Sequence, residues 1–431
     1  MQLLFEHIAI VTEPPIADGY LGVREGKIDY IGAEKPAGYE TARVISGKNR
    51  ALIPGLINTH THIPMTLMRG YADDYDLNTW LYQYIFPAED KLDDRCVRAG
   101  CEIGMAEMIA SGTTSFSDSY YFCEQIAQTA LQSGMKANIG RAVSNFEKEI
   151  TLHDFYATRE AVELCEKWHN ADDGRIRIDA AIHAEYTSSA SLWRELSEFA
   201  HEHALIMQLH LAETQKEQAE CIKKYGKTPT RLFYDAGVFD GKALAAHCVW
   251  VTDEDIDILS EAHVAVAHNP VSNLKLASGV ARVPELLRRG ICVSLGTDGV
   301  ASNNNFDLFE ELKLTAILHK GVTHDPTVLC ANDAFALATR NGAAAQGREQ
   351  ECGALKVGLD ADIVMINLDA PHLTPCHQLL SNIVYAARGS DVCMTMVRGK
   401  ILYENGAFLT IDLERAKREV SDYVLGHMFG K

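Results

Sequence analysis

The sequence predicts an α/β protein: a (β/α)8 TIM-like barrel accompanied by a small β-sandwich built from the two ends of the chain. Two observations carry that expectation. Eight apolar, strand-like runs alternate with helix-like segments over about 300 residues in the middle, which suits a closed parallel barrel better than an open sheet. Both ends instead show short alternating segments broken by Gly, Pro and Asp, the texture of antiparallel strands and turns.

In chain order, "LLFEHIAIV", "GYLGVREGKIDYIG" and "ARVISG" read as strands of the sandwich. The barrel strands follow as "ALIPGLINTH", "TTSFSDS", "KANIGRAV", "IRIDAAIHAEY", "LIMQLHLAE", "ALAAHCVW", "HVAVAHNP" and "ICVSLGTDG". Helices are expected between them, at "CVRAGCEIGMAEMIASG", at "SLWRELSEFAHEHAL", around Thr228 to Tyr234, and at "PELLRRG". The tail returns to strand-turn-strand in "LDADIVMINLD" and "VCMTMVRGKILYENG", where Asn405-Gly406 is a turn signal. The expected divisions are 1–53 and 355–431 for the two parts of the sandwich and 54–354 for the barrel.

The chain has 431 residues, 47% of them hydrophobic and 23% charged, enough for a substantial core. A formal net charge of −19 argues against nucleic acid or an anionic membrane as partner, because both require a basic surface. Small molecules remain, and assembly into a homo-oligomer stays open. The opening "MQLLFEHIAIVTEPP" turns polar too soon for a signal peptide or span, so a cytoplasmic location is expected. Eleven cysteines without CxxC pairing read as reduced thiols, and none is assigned chemistry.

In a barrel of this kind the active site lies at the C-terminal ends of the strands. Polar residues closing the strand runs are therefore the candidates. The first run closes with His60 and His62; residues i and i+2 share one strand face about 6 to 7 Å apart at Cα, so both imidazoles can reach one point. His201 and His203 repeat the spacing inside a helical stretch, where i and i+2 diverge by about 200°; that pair is expected to be inert. The fifth run closes with His210 and Glu213, the sixth with His247 and the eighth with Asp298. His60, His62, His210 and Asp298 make a set suited to one divalent metal, with Zn²⁺ the expected ion and Fe²⁺ the alternative, since both accept nitrogen and oxygen ligands.

Taken together, "PGLINTHTH", "WLYQYIFPAED", "QLHLAET", "AHCVW", "HNPVSNLKL" and "GTDGVASNNNFDLFEE" resemble the amidohydrolase superfamily, and within it the 5′-methylthioadenosine/S-adenosylhomocysteine deaminases, over nearly the whole chain. The resemblance implies that His60, His62, His210 and Asp298 hold the metal. Binuclear relatives add a lysine from the fourth strand, where this chain has His183 in "DAAIHAEY" and no lysine, so one ion is expected.

The implied reaction is hydrolytic deamination of a 6-aminopurine nucleoside to the inosine derivative and ammonia. A bound divalent ion would lower the pKa of a water toward about 7. Asp298 would then act as base, His247 would hydrogen-bond the attacking oxygen, and Glu213 would protonate the ring nitrogen. The resemblance also implies that Glu89 accepts from the ribose diol and that Arg141 meets the carboxylate of a homocysteine tail. It further implies that His183 contacts substrate near the ribose; Trp80 could line a slot for the thioether. The family often reads His-Ala-Pro-Tyr where this chain reads "HAEY", with Glu185 in place of proline, which leaves the preferred 5′ group open. His268 is expected only to brace the barrel mouth, and Asn303 to Asn305 to shape a loop. Competing readings are deamination or hydrolysis of adenosine, 5′-deoxyadenosine, guanine, 8-oxoguanine or an s-triazine, and, more remotely, a scaffold without catalysis.

Overall fold

The computed structural model describes residues 2–145 and 155–431. Five strands open the chain: Gln2–Ile10 (β1), Ile16–Arg24 (β2), Lys27–Gly32 (β3), Arg43–Ser46 (β4) and Arg50–Pro54 (β5). The run "ALIPGLINTH", expected as one strand, is two. Its first half is β5 in the outer sheet, and its second half, Leu56–Thr61 (β6), begins the barrel. Gly55 joins them because the layers nearly touch there: a Cβ would lie 2.1 Å from Thr114 Oγ1.

The barrel continues through Thr113–Tyr120 (β7), Lys136–Val143 (β8), Ile176–Ile182 (β9), Met207–Leu211 (β10), Ala243–His247 (β11), Ala265–His268 (β12) and Val293–Leu295 (β13). Each neighbouring pair is parallel. Nearly every residue of these strands is buried, as expected when helices cover the outside and side chains fill the inside. Helices Asp94–Ala110, Ala190–Glu202, Pro229–Asp235 and Val283–Arg288 occupy the stretches read as helical. His201 and His203 end exposed at the close of one of them.

The barrel closes where β13 meets β6, and side chains supply much of that seam. Thr59 Oγ1 donates to Leu295 O at 2.8 Å, Asn58 Nδ2 to Thr297 Oγ1 at 2.8 Å, and the backbone N–H of Asp298 to His60 O at 2.9 Å. Gly296 permits this approach, since a Cβ there would sit 2.8 Å from that of His60. The seam therefore sets residues 238 positions apart side by side (298 − 60).

The tail supplies Ile363–Asn367 (β14), Val392–Val397 (β15), Lys400–Glu404 (β16) and Ala407–Phe408 (β17). β14 runs antiparallel to β5, so the ends of the chain pair into one mixed sheet, as expected. That sheet folds on itself: Leu21 and Ile28 from the first segment share a core with Met394, Met396 and Ile401 from the last. Side chains alternate along β14, so Ile363 and Met365 enter that core while Val364 and Ile366 pack on the barrel. Asn405 (φ 49°) and Gly406 (φ 88°) form the tight turn between β16 and β17. Among the described residues no helix is long and apolar enough to cross a membrane.

Lys136, fully buried at the start of β8, ties the two layers together through Asp360 at 2.8 Å and Asp362 at 2.7 Å. Deleting one partner of a buried ion pair strands the other charge. Lys136→Met is therefore expected to lower unfolding free energy by about 3–5 kcal/mol, measured by urea denaturation; a loss near zero would mean that both acids find other partners.

Candidate active site

His60 lies in β6 and His62 one step beyond it, with ring centroids 4.8 Å apart. His210, from β10, brings its Nε2 within 3.2 Å of His62 Nε2. Asp298 Oδ1 stands 3.5 Å from His60 Nε2 and 3.2 Å from His62 Nε2. All four predicted ligands thus meet at the C-terminal mouth of the barrel. Tetrahedral ligands at a bond length of about 2.0–2.1 Å lie about 3.3 Å from one another, so these separations are of the right size for one ion.

The donor set is turned inward. His62 Nδ1 is 2.6 Å from Ser119 O and His210 Nδ1 is 2.7 Å from His183 O. Carbonyls only accept, so each Nδ1 carries a proton and each Nε2 is the atom turned to the centre, where a cation would take the place of any proton on it. Among the described residues His60 Nε2, which is buried, has no hydrogen-bond partner. Burial pushes His60 down to about 4. Burial also opposes charge on His62, but the Asp298 carboxylate outweighs it and raises that ring to about 9. Asp298 itself is held well below the usual carboxylate range: burial works against ionisation, and the adjoining His60 and His62 rings outweigh it. A carboxylate beside converging imidazoles favours positive charge at their centre, which fits a divalent cation.

His247 also points into this cluster. Its ligand atom lies within 4.8 Å of those of His60 and His210, while its Nδ1 is 2.8 Å from Asn273 Oδ1 and its Nε2 3.9 Å from Glu213 Oε2. His247 (φ 72°) and Asp298 (φ 62°) both occupy left-handed backbone, a strain that clusters at functional sites. Asp298 Oδ2 accepts from Ser272 Oγ at 2.6 Å and Ser302 Oγ at 2.8 Å, leaving Oδ1 for the centre.

Glu213 follows β10 and accepts from Ser278 Oγ at 3.2 Å. Burial raises its carboxyl above the ordinary value. Its backbone is fixed by Glu217, which accepts from the N–H groups of Ala212, Glu213 and Thr214 at 2.8, 2.7 and 3.3 Å. Thr214 and Glu217 form a capping box at the start of helix Gln215–Tyr225.

A cleft opens over the cluster, and Trp80, Glu89, His183 and Glu213 line it. Glu89 accepts from Tyr120 Oη, and burial raises its carboxyl to about 7. His183 Nδ1 lies 3.0 Å from Thr187 Oγ1, and burial lowers its ring to about 4. Trp80 is buried, and among the described residues its indole N–H has no partner. Arg141 stands apart. Alternation along β8 puts Ala142 on the cleft and Arg141 on the other face, where its Nε donates to Glu160 at 2.7 Å and its guanidinium lies 5.0 Å from the ring centroid of Tyr121, a cleft residue. His268 is 3.3 Å from His319 at the buried end of β12, and Asn303 Nδ2 donates to Thr297 O at 2.8 Å beside Asp298.

Sequence reasoning did not single out Ser272, Asn273, Ser278, Ser302, Glu217 or Tyr120. Only Glu217 carried a local signal, the Thr-x-x-Glu of its capping box.

Comparison with known proteins places the whole chain in a family. The profile of the amidohydrolase family matches residues 51–402. A 5-methylthioadenosine/S-adenosylhomocysteine deaminase from Dictyoglomus thermophilum is 42% identical over 421 residues, 97% of each chain. A 5′-deoxyadenosine deaminase from Methanosarcina acetivorans is 41% identical over 422 residues, 97% of this chain and 96% of that one. Among solved structures, an adenosine deaminase from Xanthomonas campestris with bound zinc superposes with a TM-score of 0.91 at 33% identity, covering 97% of this chain and 98% of that one. With the family profile spanning the barrel strands, and relatives aligned almost end to end, the chain belongs to the amidohydrolase family.

Proposed function

We propose that the protein deaminates a 6-aminopurine nucleoside, 5′-methylthioadenosine or S-adenosylhomocysteine, to the inosine derivative and ammonia, using one divalent ion held by His60, His62, His210 and Asp298. The observation that carries the reading is the placement of Glu213: a buried acid with a raised pKa, facing the cleft beside the inward-turned ligand set. Relatives at 42% and 41% identity that act on such nucleosides support it. Zn²⁺ is the proposed occupant, in line with the zinc in the Xanthomonas structure.

The ion, when bound, would supply a water of near-neutral pKa. The remaining work falls to the chain. Asp298, steadied by Ser272 and Ser302, takes the water's proton at Oδ1. His247 gives its Nδ1–H to Asn273 Oδ1 and, because burial is outweighed by nearby carboxylate charge that raises its pKa, carries a second proton that it donates from Nε2 toward the oxygen that adds to C6. Glu213 begins protonated and delivers its proton to N1, so the ring accepts the nucleophile; Asp298 then passes the water's proton to the amine, the C6–N bond breaks with release of ammonia, and the added hydroxyl gives up its proton to restore Glu213 as C6 becomes a carbonyl. Glu89 receives the ribose hydroxyls, His183 the nucleoside near the ribose, and Trp80 walls the slot for the 5′ thioether. Arg141 would have to release Glu160 before meeting a substrate carboxylate. The site is proposed to work in the cytoplasm.

The test is steady-state deamination, followed by the ultraviolet change from adenine to hypoxanthine, with 5′-methylthioadenosine, S-adenosylhomocysteine, adenosine, 5′-deoxyadenosine and guanine. Turnover of the thioether nucleosides is expected. Silence on every nucleoside with metal loaded would move the substrate to another ring. Because Glu213 must enter protonated and burial raises its pKa, kcat/KM is expected to hold through the acidic range in which free carboxylates have already ionised. It should fall as pH rises through the raised value. A profile unchanged in Glu213→Gln would assign that limb to another group.

A further inference from the structure

Two buried acids meet beside the proposed proton donor, and no step of the reaction uses either. Glu185 begins the turn Glu185–Thr187 that follows β9; it is 3% exposed, and among the described residues no donor reaches its Oε2. Its carboxyl is hydrogen-bonded to that of Glu217, which already accepts from the backbone N–H groups of Ala212, Glu213 and Thr214. Two carboxylates only accept, so the contact needs one proton between them. Three N–H donors favour the ionised form of Glu217, which leaves that proton on Glu185.

The surroundings keep it there. Burial, and then the Glu217 charge, raise Glu185 to about 9; the exposed Lys224 opposes the shift without cancelling it. Cys221 and Tyr186 also face the pair and are held neutral, burial raising the thiol to about 12 and the phenol well above its ordinary value. Glu213 adds negative charge only when ionised. The pair also bridges two strand ends. His183 O, at the end of β9, accepts from the backbone N–H of His210 in β10 at 3.1 Å. Two residues on, Glu185 joins Glu217, and Glu217 fixes the turn that carries Glu213 into the cleft.

We propose that Glu185 is a positioning residue for the proton donor Glu213: as a neutral carboxyl it donates to Glu217, and Glu217 holds the backbone on which Glu213 stands. The inference rests on the reading of Glu213 as the acid that protonates the ring.

The experiment compares metal-loaded wild type, Glu185→Leu, Glu185→Gln and Glu213→Gln on 5′-methylthioadenosine, with kcat and KM followed against pH. Leucine cannot donate to Glu217, so Glu185→Leu is expected to lower kcat about 10- to 100-fold, the scale of a misplaced group, with KM and metal content nearly unchanged. Glutamine keeps an N–H donor and cannot ionise, so Glu185→Gln should hold kcat within about threefold of wild type. Its alkaline limb, the one assigned to Glu213, should stay at the wild-type pH, because one neutral group replaces another. An ionised Glu185 predicts the opposite: removing its charge would move the limb to lower pH. Equal losses in the Leu and Gln variants, full activity in Glu185→Leu, or a displaced limb in Glu185→Gln would each overturn the positioning role, and an inactive Glu213→Gln beside them would leave the deaminase reading intact. Should Glu185→Leu not fold, the limb of Glu185→Gln decides alone. A wild type inert on the nucleoside, or a fully active Glu213→Gln, would remove the reading of Glu213 and the positioning role with it.

Discussion

Glu213→Gln is expected to lower kcat by about 10²- to 10⁴-fold, the usual contribution of a positioned acid, with metal content and melting temperature unchanged. Glutamine keeps the volume, and its amide oxygen can still accept from Ser278, so the pocket is preserved. What it loses is the proton. Because that proton is needed only as the ring accepts a nucleophile, the loss should appear in kcat more than in KM. Activity within about threefold of wild type would remove Glu213 from proton delivery and turn attention to His247, whose Nε2 lies 3.9 Å away.

Asp298→Ala should be equally severe for a different reason. The carboxylate touches two imidazoles and two serine hydroxyls, and its removal leaves lone pairs facing lone pairs in a buried space. The expected outcome is loss of bound metal together with at least about 10³-fold in kcat, or ~4 kcal/mol of barrier. Chelation of the wild type should reproduce the activity loss, and added Zn²⁺ or Fe²⁺ should reverse it. Full metal content and normal turnover in the variant would transfer the ligand role to His247, which already points at His60 and His210.

The ligand set was legible because it obeys a local rule: polar residues at the ends of strands in a parallel barrel converge, whatever the sequence between them. What holds those ligands in place was not. Ser119 and His183 orient two imidazoles with backbone carbonyls, which every residue possesses and no sequence pattern distinguishes. Ser272 and Asp298 meet only after the chain has completed another strand and its turn. The split of "ALIPGLINTH" into two strands was hidden because Ala51–Pro54 of β5 and Leu56–Ile57 of β6 read as one nearly continuous apolar run, although each half is buried in its own layer. Arg141 shows how two signals can diverge. A motif match directs it to the substrate tail, while strand periodicity along "KANIGRAV" turns it to the face opposite Ala142.

The seam between the first and last barrel strands gives the ion a mechanical role as well. His60 and His62 belong to one lip of that seam and Asp298 to the other, so a cation bound among them is a clasp across the line where the barrel would open. Occupancy should then suppress opening along β6 and β13 more than elsewhere, since ligand binds only the closed form. Slower amide exchange at Asp298, whose N–H crosses to His60 O, would register the clasp directly. The same contact joins the two ends of the barrel's strand order, so the site assembles only as the ring closes.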